Sequence, residues 1–197
     1  MLKTNLLLKL QKDNNGILCT DNVIKHGISK TYLADYVRNN SLERVAKGIY
    51  VAKGAWPDDL YIMQLRFNGI IYSHETALYL LDLAEREPLQ YTATVKTSYN
   101  YSSLSALGVK VYSIKKELFE LGLTEVQSPN GHKLKCYNAE RTICDILRSR
   151  KNIEIQDLQA ALKTYTKSKS KNIPLLMRYA KELHVDKILR RYLEVLL

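Results

Sequence analysis

Residues 41–54 read SLERVAKGIYVAKG, and the first third of the chain turns on how they are read. Two short apolar runs flank Lys47–Gly48, where Gly48 gives the backbone the freedom that a tight turn needs. Val45, Ile49 and Val51 alternate with other side chains, so the spacing predicts a two-stranded hairpin over Leu42–Val51, with those three residues toward a core. Arg44, Lys47 and Lys53 are left at its tip and edges. The stretch holds no carboxylate pair and no metal-ligand spacing, so its basic character is what asks for an explanation.

The residues in front of the hairpin supply one. Leu2, Leu6, Leu7 and Leu10 have helical spacing, and Asn14-Asn15-Gly16 ends the run. Thr20 or Asp21 is expected to cap a second short helix that Gly27 closes. Ser29 is expected to cap a third, over KTYLADYVRNN. Two helices joined by a tight glycine turn make a helix-turn-helix candidate. Followed by a basic hairpin, they give the layout of a winged helix-turn-helix, whose second helix enters the major groove while the hairpin reaches the neighbouring backbone.

The faces of the third helix fit that layout. At about 100° per residue, Leu33, Tyr36 and Val37 fall on one side and form its core face. Thr31, Ala34, Asp35 and Arg38 fall opposite, with Lys30, Tyr32 and Asn39 on the flanks. Asp35 is awkward beside phosphates. It either accepts a bond from a cytosine amino group or pairs within its own helix, and the intrahelical role is the favoured one.

Composition bounds the rest. The chain has 197 residues, 46% of them hydrophobic, which is enough for one large domain or two modest ones. The net charge is +10 and unevenly spread. Residues 1–55 carry nine Lys/Arg against four Asp/Glu, residues 56–109 three against six, and residues 110–197 eighteen against ten. Basic surface at both ends is a cue for nucleic acid. The apolar run Leu6–Leu8 is too short for a signal segment or a membrane span, so a cytoplasmic protein is expected. Three irregularly spaced cysteines, Cys19, Cys136 and Cys144, argue against a disulfide framework. His132 and Cys136 lack the companions a zinc site needs, so neither a metal nor any other cofactor is expected.

After Gly54 the character changes, and the expected boundary sets a DNA-binding domain over 1–54 against a second domain over 55–197. Pro57, Asp58 and Asp59 suit the start of a helix that continues through LYIMQLRF. GIIYS, LQYTATVK and GVKVYSI read as strands, and HETALYLLDLA as a helix. Asn130–Gly131 is the strongest local turn signal and predicts a hairpin in LGLTEVQSPNGHKLKCYN. AERTICDILRS is helical, and residues 153–197 read as three helices broken at KSKSKN and HVD. The fold class expected is therefore α+β: a winged helix-turn-helix, then a mixed α/β domain with a helical C-terminal end.

No motif of catalysis stands out. HETAL begins like a zincin sequence, but the second histidine ligand is replaced by Leu78. His74 then reads as a helix-start residue. A restriction-nuclease triplet at Glu125-Val126-Gln127 fails for want of its lysine. In AERTICDILRS, Asp145 follows Arg141 by four residues and Arg148 follows Asp145 by three, which reads as self-paired charges on an amphipathic helix with Ile143, Ile146 and Leu147 as its apolar stripe. A partner-facing helix is the other reading. Tyr outnumbers Phe by fourteen to two, and TSYNYSSL gathers exposed-looking tyrosines into an interface or a loop.

LERVAKGIYV after a short helix-turn-helix resembles the N-terminal winged helix of the AbiEi antitoxins, and IYSHETALYLLDLAE and YNAERTICDILRS resemble segments of that family's second domain. The resemblance implies an antitoxin of a type IV toxin–antitoxin, abortive phage-infection system. Such a protein represses its own operon by binding promoter inverted repeats in double-stranded DNA. It also counteracts a nucleotidyltransferase-like toxin without a stable complex. DNA contacts are then expected at Lys30, Thr31, Tyr32 and Arg38 in the third helix and at Arg44 and Lys47 in the hairpin. Two other readings stay open: a transcription factor for unrelated genes, and a nucleic-acid enzyme whose chemistry sits in the basic C-terminal part.

Overall fold

In the computed structural model, which describes residues 2–196, the chain is mixed α+β, with eleven α-helices and two sheets among those residues. It divides into two compact units. The first takes in the chain up to Asn68 together with Gln127–His132, and the second runs over Gly69–Val126 and from Lys133 onward.

The first unit opens with α1 (Leu2–Asp13), strand β1 (Ile17–Cys19), α2 (Thr20–Lys25) and α3 (Lys30–Asn39). Strands β2 (Glu43–Ala46) and β3 (Ile49–Val51) follow. They form a three-stranded antiparallel sheet in the order β1-β3-β2, with Leu18 opposite Tyr50 and Ala46 opposite Ile49. One core cluster joins Leu7, Leu18, Val23, Ile28, Leu33, Tyr36 and Leu42. A second joins Ile17, Ile49 and Val51 to Ile62 of α4 (Asp59–Arg66).

Three local expectations are corrected. Val45 does not alternate toward the core with Ile49 and Val51. The register shifts between Arg44 and Ala46, and the resulting bulge leaves Val45 40% exposed. The second helix begins at Thr20 itself, after Cys19 in the cap position, so neither Thr20 nor Asp21 caps it. Pro57 precedes the cap of α4 rather than entering its first turn: Asp58 is the cap, and its carboxylate accepts from Tyr61 N at 3.1 Å.

Asp58 is also the centre of a buried polar cluster. Its Oδ2 accepts from Ser128 Oγ and lies 2.6 Å from His132 Nδ1. The His132 ring stacks on Tyr61 at 4.2 Å, and its Nε2 is 3.3 Å from Asn14 O. Asn15 Nδ2 donates to Asn130 O at 2.7 Å. His132 thus spends its ring on holding Gln127–His132 in the first unit.

The second unit is built on a five-stranded sheet, in the order β6-β5-β4-β8-β7. Its strands are β4 (Ile71–Tyr72), β5 (Thr92–Lys96), β6 (Lys110–Ile114), β7 (Leu123–Gln127) and β8 (Lys133–Tyr137). β5 runs antiparallel to β4 and parallel to β6, while β8 runs parallel to β4. Three short helices lie around it: α5 (His74–Leu80), α6 (Ser102–Ser105) and α7 (Lys116–Phe119). α5 stops well short of the run HETALYLLDLA, because Asp82 turns into the left-handed region at φ 55°. α6 begins inside TSYNYSSL, where Tyr101 is exposed. The helices α8 (Ala139–Arg148), α9 (Ile155–Lys167), α10 (Ile173–Glu182) and α11 (Asp186–Leu196) complete the unit.

α8 is the hub of that core. Asn138 caps it, accepting from Arg141 N at 2.9 Å. Ile143, Ile146 and Leu147 are fully buried among Leu158, Leu162, Leu176 and Leu189. Three such side chains contribute on the order of 5–9 kcal/mol of transfer free energy. Of the charges of this helix only Arg148 is exposed, contrary to the expectation of a solvated charged face: Glu140 through Leu147 are all buried. Glu140 Oε1 accepts from Tyr165 Oη at 3.0 Å and from Asn172 N at 3.1 Å. Buried carboxylates and guanidinium groups persist only where such partners compensate for lost water.

Candidate nucleic-acid interface

The α2–α3 pair is joined by Gly27, at φ +78°, and by Ile28, whose side chain is buried. Ser29 then opens α3, its Oγ accepting from Tyr32 N at 3.3 Å as the sequence predicts. Leu33 and Tyr36 are buried and Val37 packs beside them. Tyr36 also donates to Gln11 Oε1 at 2.9 Å, and burial raises its phenol pKa, so it remains a donor. α3 is thereby fixed by its inner face against α1, and its outer face is free for contact.

That outer face holds Lys30, Thr31, Ala34, Asp35 and Arg38, all exposed. Arg38 Nη2 lies 3.8 Å from Asp35 Oδ1, which is the intrahelical pairing favoured for Asp35. Both side chains are open to water, so the pair is worth little and gives way readily to a stronger partner for Arg38. Tyr32 is placed differently from its companions. It is half-buried, its hydroxyl lies 2.7 Å from Thr4 Oγ1, and Lys3 Nζ sits 5.8 Å from its ring. The structure thus brings Lys3 of α1 beside α3, a cation that the α2–α3 reading leaves out.

The hairpin is anchored at its turn. Thr20 N donates to Gly48 O at 2.7 Å, and a Cβ at Gly48 would stand 3.2 Å from Thr20 Oγ1. Gly48, at φ +74°, therefore serves both the turn and the close approach to α2. Lys47 and Arg44 are exposed, and Arg44 Nε donates to Ala46 O at 3.3 Å. Lys30, Thr31, Arg38, Arg44 and Lys47 are therefore solvent-facing residues of one small unit, carried on a helix and a hairpin that both rest on α2.

Sequence comparison points this segment to a class, the transcriptional regulators. Over that segment the similarity is to the AbiEi antitoxins: the family model described as "Transcriptional regulator, AbiEi antitoxin" matches residues 5–53. No curated protein matches the sequence. The chain shares its fold with the RV2827C protein of Mycobacterium tuberculosis, whose crystal structure superposes with a TM-score of 0.59 at 14% identity, over 89% of this chain and 70% of that one. Among the described residues, no helix is long and apolar enough to cross a membrane.

Proposed function

We propose that residues 1–54 act as a winged helix-turn-helix that reads operator DNA, α3 entering the major groove and the β2–β3 hairpin lying against the adjacent backbone. The protein is then an antitoxin that binds inverted repeats in its own promoter and represses its operon. It counteracts a nucleotidyltransferase-like toxin of a type IV, abortive-infection system without a lasting complex. The second domain, 55–197, contributes to that neutralisation. The observation that carries this reading is the family match over 5–53. It falls on the segment that leaves Lys30, Thr31, Arg38, Arg44 and Lys47 exposed around α3 and the hairpin.

The test is binding of the full chain to its own upstream DNA and to scrambled DNA, across a salt series. Selective binding with a linear log–log salt dependence is expected. Lys47→Ala lowers the slope by about 0.9 if Lys47 neutralises one phosphate. An unchanged slope removes Lys47 from the interface, and equal binding to both DNAs overturns operator reading. Where a nucleotidyltransferase-like gene neighbours this one, expressing it with and without this protein tests the antitoxin role, and toxicity that this protein leaves unchanged overturns it.

A further inference from the structure

The second unit holds a cavity of about 210 Å³, lined among others by His74, Tyr112, Arg141, Asp145, Arg148 and Ser149. Arg141 is fully buried and nearly saturated with partners. Its Nε donates to both Asp145 oxygens at 3.0 Å, and its Nη1 donates to Leu118 O and Leu121 O at 2.8 Å each. Its Nη2 is buried with no hydrogen-bond partner, and the guanidinium carbon lies over the Tyr137 ring at 4.2 Å, a contact that offsets only part of the lost hydration. A guanidinium nitrogen withdrawn from water and left unpaired is costly, and a ligand that accepts from it removes that cost.

A run of hydroxyls continues the site. Ser73 Oγ accepts from Thr94 Oγ1 at 2.8 Å and lies 2.9 Å from His74 Nδ1, to which it donates when the ring carries its proton on Nε2. His74 Nε2 lies 3.1 Å from Ser149 Oγ; in that tautomer it donates there and leaves the Ser149 hydroxyl proton to point elsewhere. His74 is held in place by stacking on Tyr112 at 3.5 Å and starts α5 at φ +50°. Burial and the nearby charges of Lys110, Arg141 and Arg148 lower its pKa well below the usual histidine range, so the ring is neutral.

The charges leave a positive remainder. Asp145 is matched by Arg141, and Glu75 by Lys110 at 3.2 Å. Arg148 is exposed at the cavity and has no ion-pair partner among the described residues. The C-terminal end of α8 opposes an anion, but Arg150 Nη1 bonds Leu147 O at 3.2 Å and offsets it. The volume falls below the roughly 300–1,000 Å³ of pockets for drug-sized ligands, so it suits a compact group.

We propose that this cavity binds a phosphate group, as inorganic phosphate or as the phosphate of a small monoester, accepting from Arg141 Nη2, the Arg148 guanidinium and the Ser149 hydroxyl. Arginine is the side chain best matched to phosphate oxygens. The site lies in the second unit and shares no residue with the α3–hairpin surface, so it does not depend on the reading of that surface.

Calorimetric titration of the full chain with inorganic phosphate, at matched ionic strength, tests the assignment. One saturable site is expected. Arg148→Gln, at an exposed position, should melt like the parent protein, and Ser149→Ala, which also takes an acceptor from buried His74, is titrated at a temperature below its own melting transition. Arg148→Gln should bind phosphate at least tenfold more weakly, and Ser149→Ala several-fold more weakly. Adenosine 5′-monophosphate separates the two sources. Tighter binding than phosphate supports a nucleotide ligand, equal binding supports recognition of the phosphate group alone, and both must weaken in Arg148→Gln. Absence of saturable binding, equal displacement by acetate, or unchanged affinity in Arg148→Gln and Ser149→Ala overturns the proposal.

Discussion

Gly122→Ala puts a single methyl group against the hub of the second unit. Gly122 has φ +77°, and a Cβ there would stand 2.5 Å from Arg141 Cβ, 3.0 Å from Asn138 Oδ1 and 3.1 Å from Arg141 Cγ. The first distance cannot be relieved by rotating a flexible tip, because it meets the root of a fully buried side chain. The left-handed backbone costs an alanine about 1–2 kcal/mol. Overpacking adds about 1–3 kcal/mol. The sum, about 2–5 kcal/mol, is a large part of the roughly 5–15 kcal/mol that holds an ordinary domain together. Gly108→Ala is the matched control: it has φ +82° but nothing within 4 Å of the added Cβ, so it bears only the backbone cost. Urea unfolding of the two variants, followed by far-ultraviolet circular dichroism, measures the difference. Gly122→Ala should lie about 1–3 kcal/mol below Gly108→Ala. Equal stability of the two would refute the claim that α8 is packed rigidly against the Gly122 turn.

Further outcomes follow from buried groups. Burial pushes the thiols of Cys136 and Cys144 up to about 12, so a thiol reagent applied to the native protein near pH 8 should modify only Cys19, with the other two reacting after denaturation. Asp58→Ala removes the α4 cap and leaves Ser128 and His132 without their acceptor, and it should destabilise the first unit by about 3–5 kcal/mol in a thermal or urea melt. Burial raises the Asp145 carboxyl from 3.8 to about 6 against the opposing pull of Arg141, so between those values the folded chain binds more protons than the unfolded one. The contribution of Asp145 to stability should therefore fall as pH rises from about 4 to about 6. Melts over that range should show a shallower dependence for Asp145→Asn; an unchanged slope would exclude Asp145 as its source.

What the sequence made legible was local. Ser29 caps α3, Leu33 and Tyr36 face inward, and the turn at Asn130–Gly131 lies between β7 and β8. These features depend on neighbours within a few residues. The bulge at Val45 is invisible to a period of two, because an extra residue in one strand changes which face follows without changing composition. The spacing of Arg141 and Asp145 gives their pairing, which forms at 3.0 Å, but spacing alone does not reveal that the pair is buried. The carbonyls that bury Arg141 belong to Leu118 and Leu121, about twenty residues upstream. The signal available was composition: two ionised residues inside the apolar run of a helix, where compensation by a distant partner is required. His132 was weighed only as a metal ligand beside Cys136, and its carboxylate partner lies 74 positions away.

The membership of Gln127–His132 in the first unit has a consequence for synthesis. Helix α4 is capped by a residue whose own acceptor role is completed by Ser128 and His132, so the N-terminal unit stays unfinished while the intervening sheet strands are being translated. At translation rates of about 5–20 residues per second, the gap from Asn68 to His132 lasts roughly 3–13 s. During that interval Asp58 lacks its Ser128 and His132 partners. The contact that seals the unit is non-local, of the kind that slows folding. A ribosome stalled between these two points would therefore present the regulator segment in an incomplete form, and release past residue 132 would be the step that finishes it.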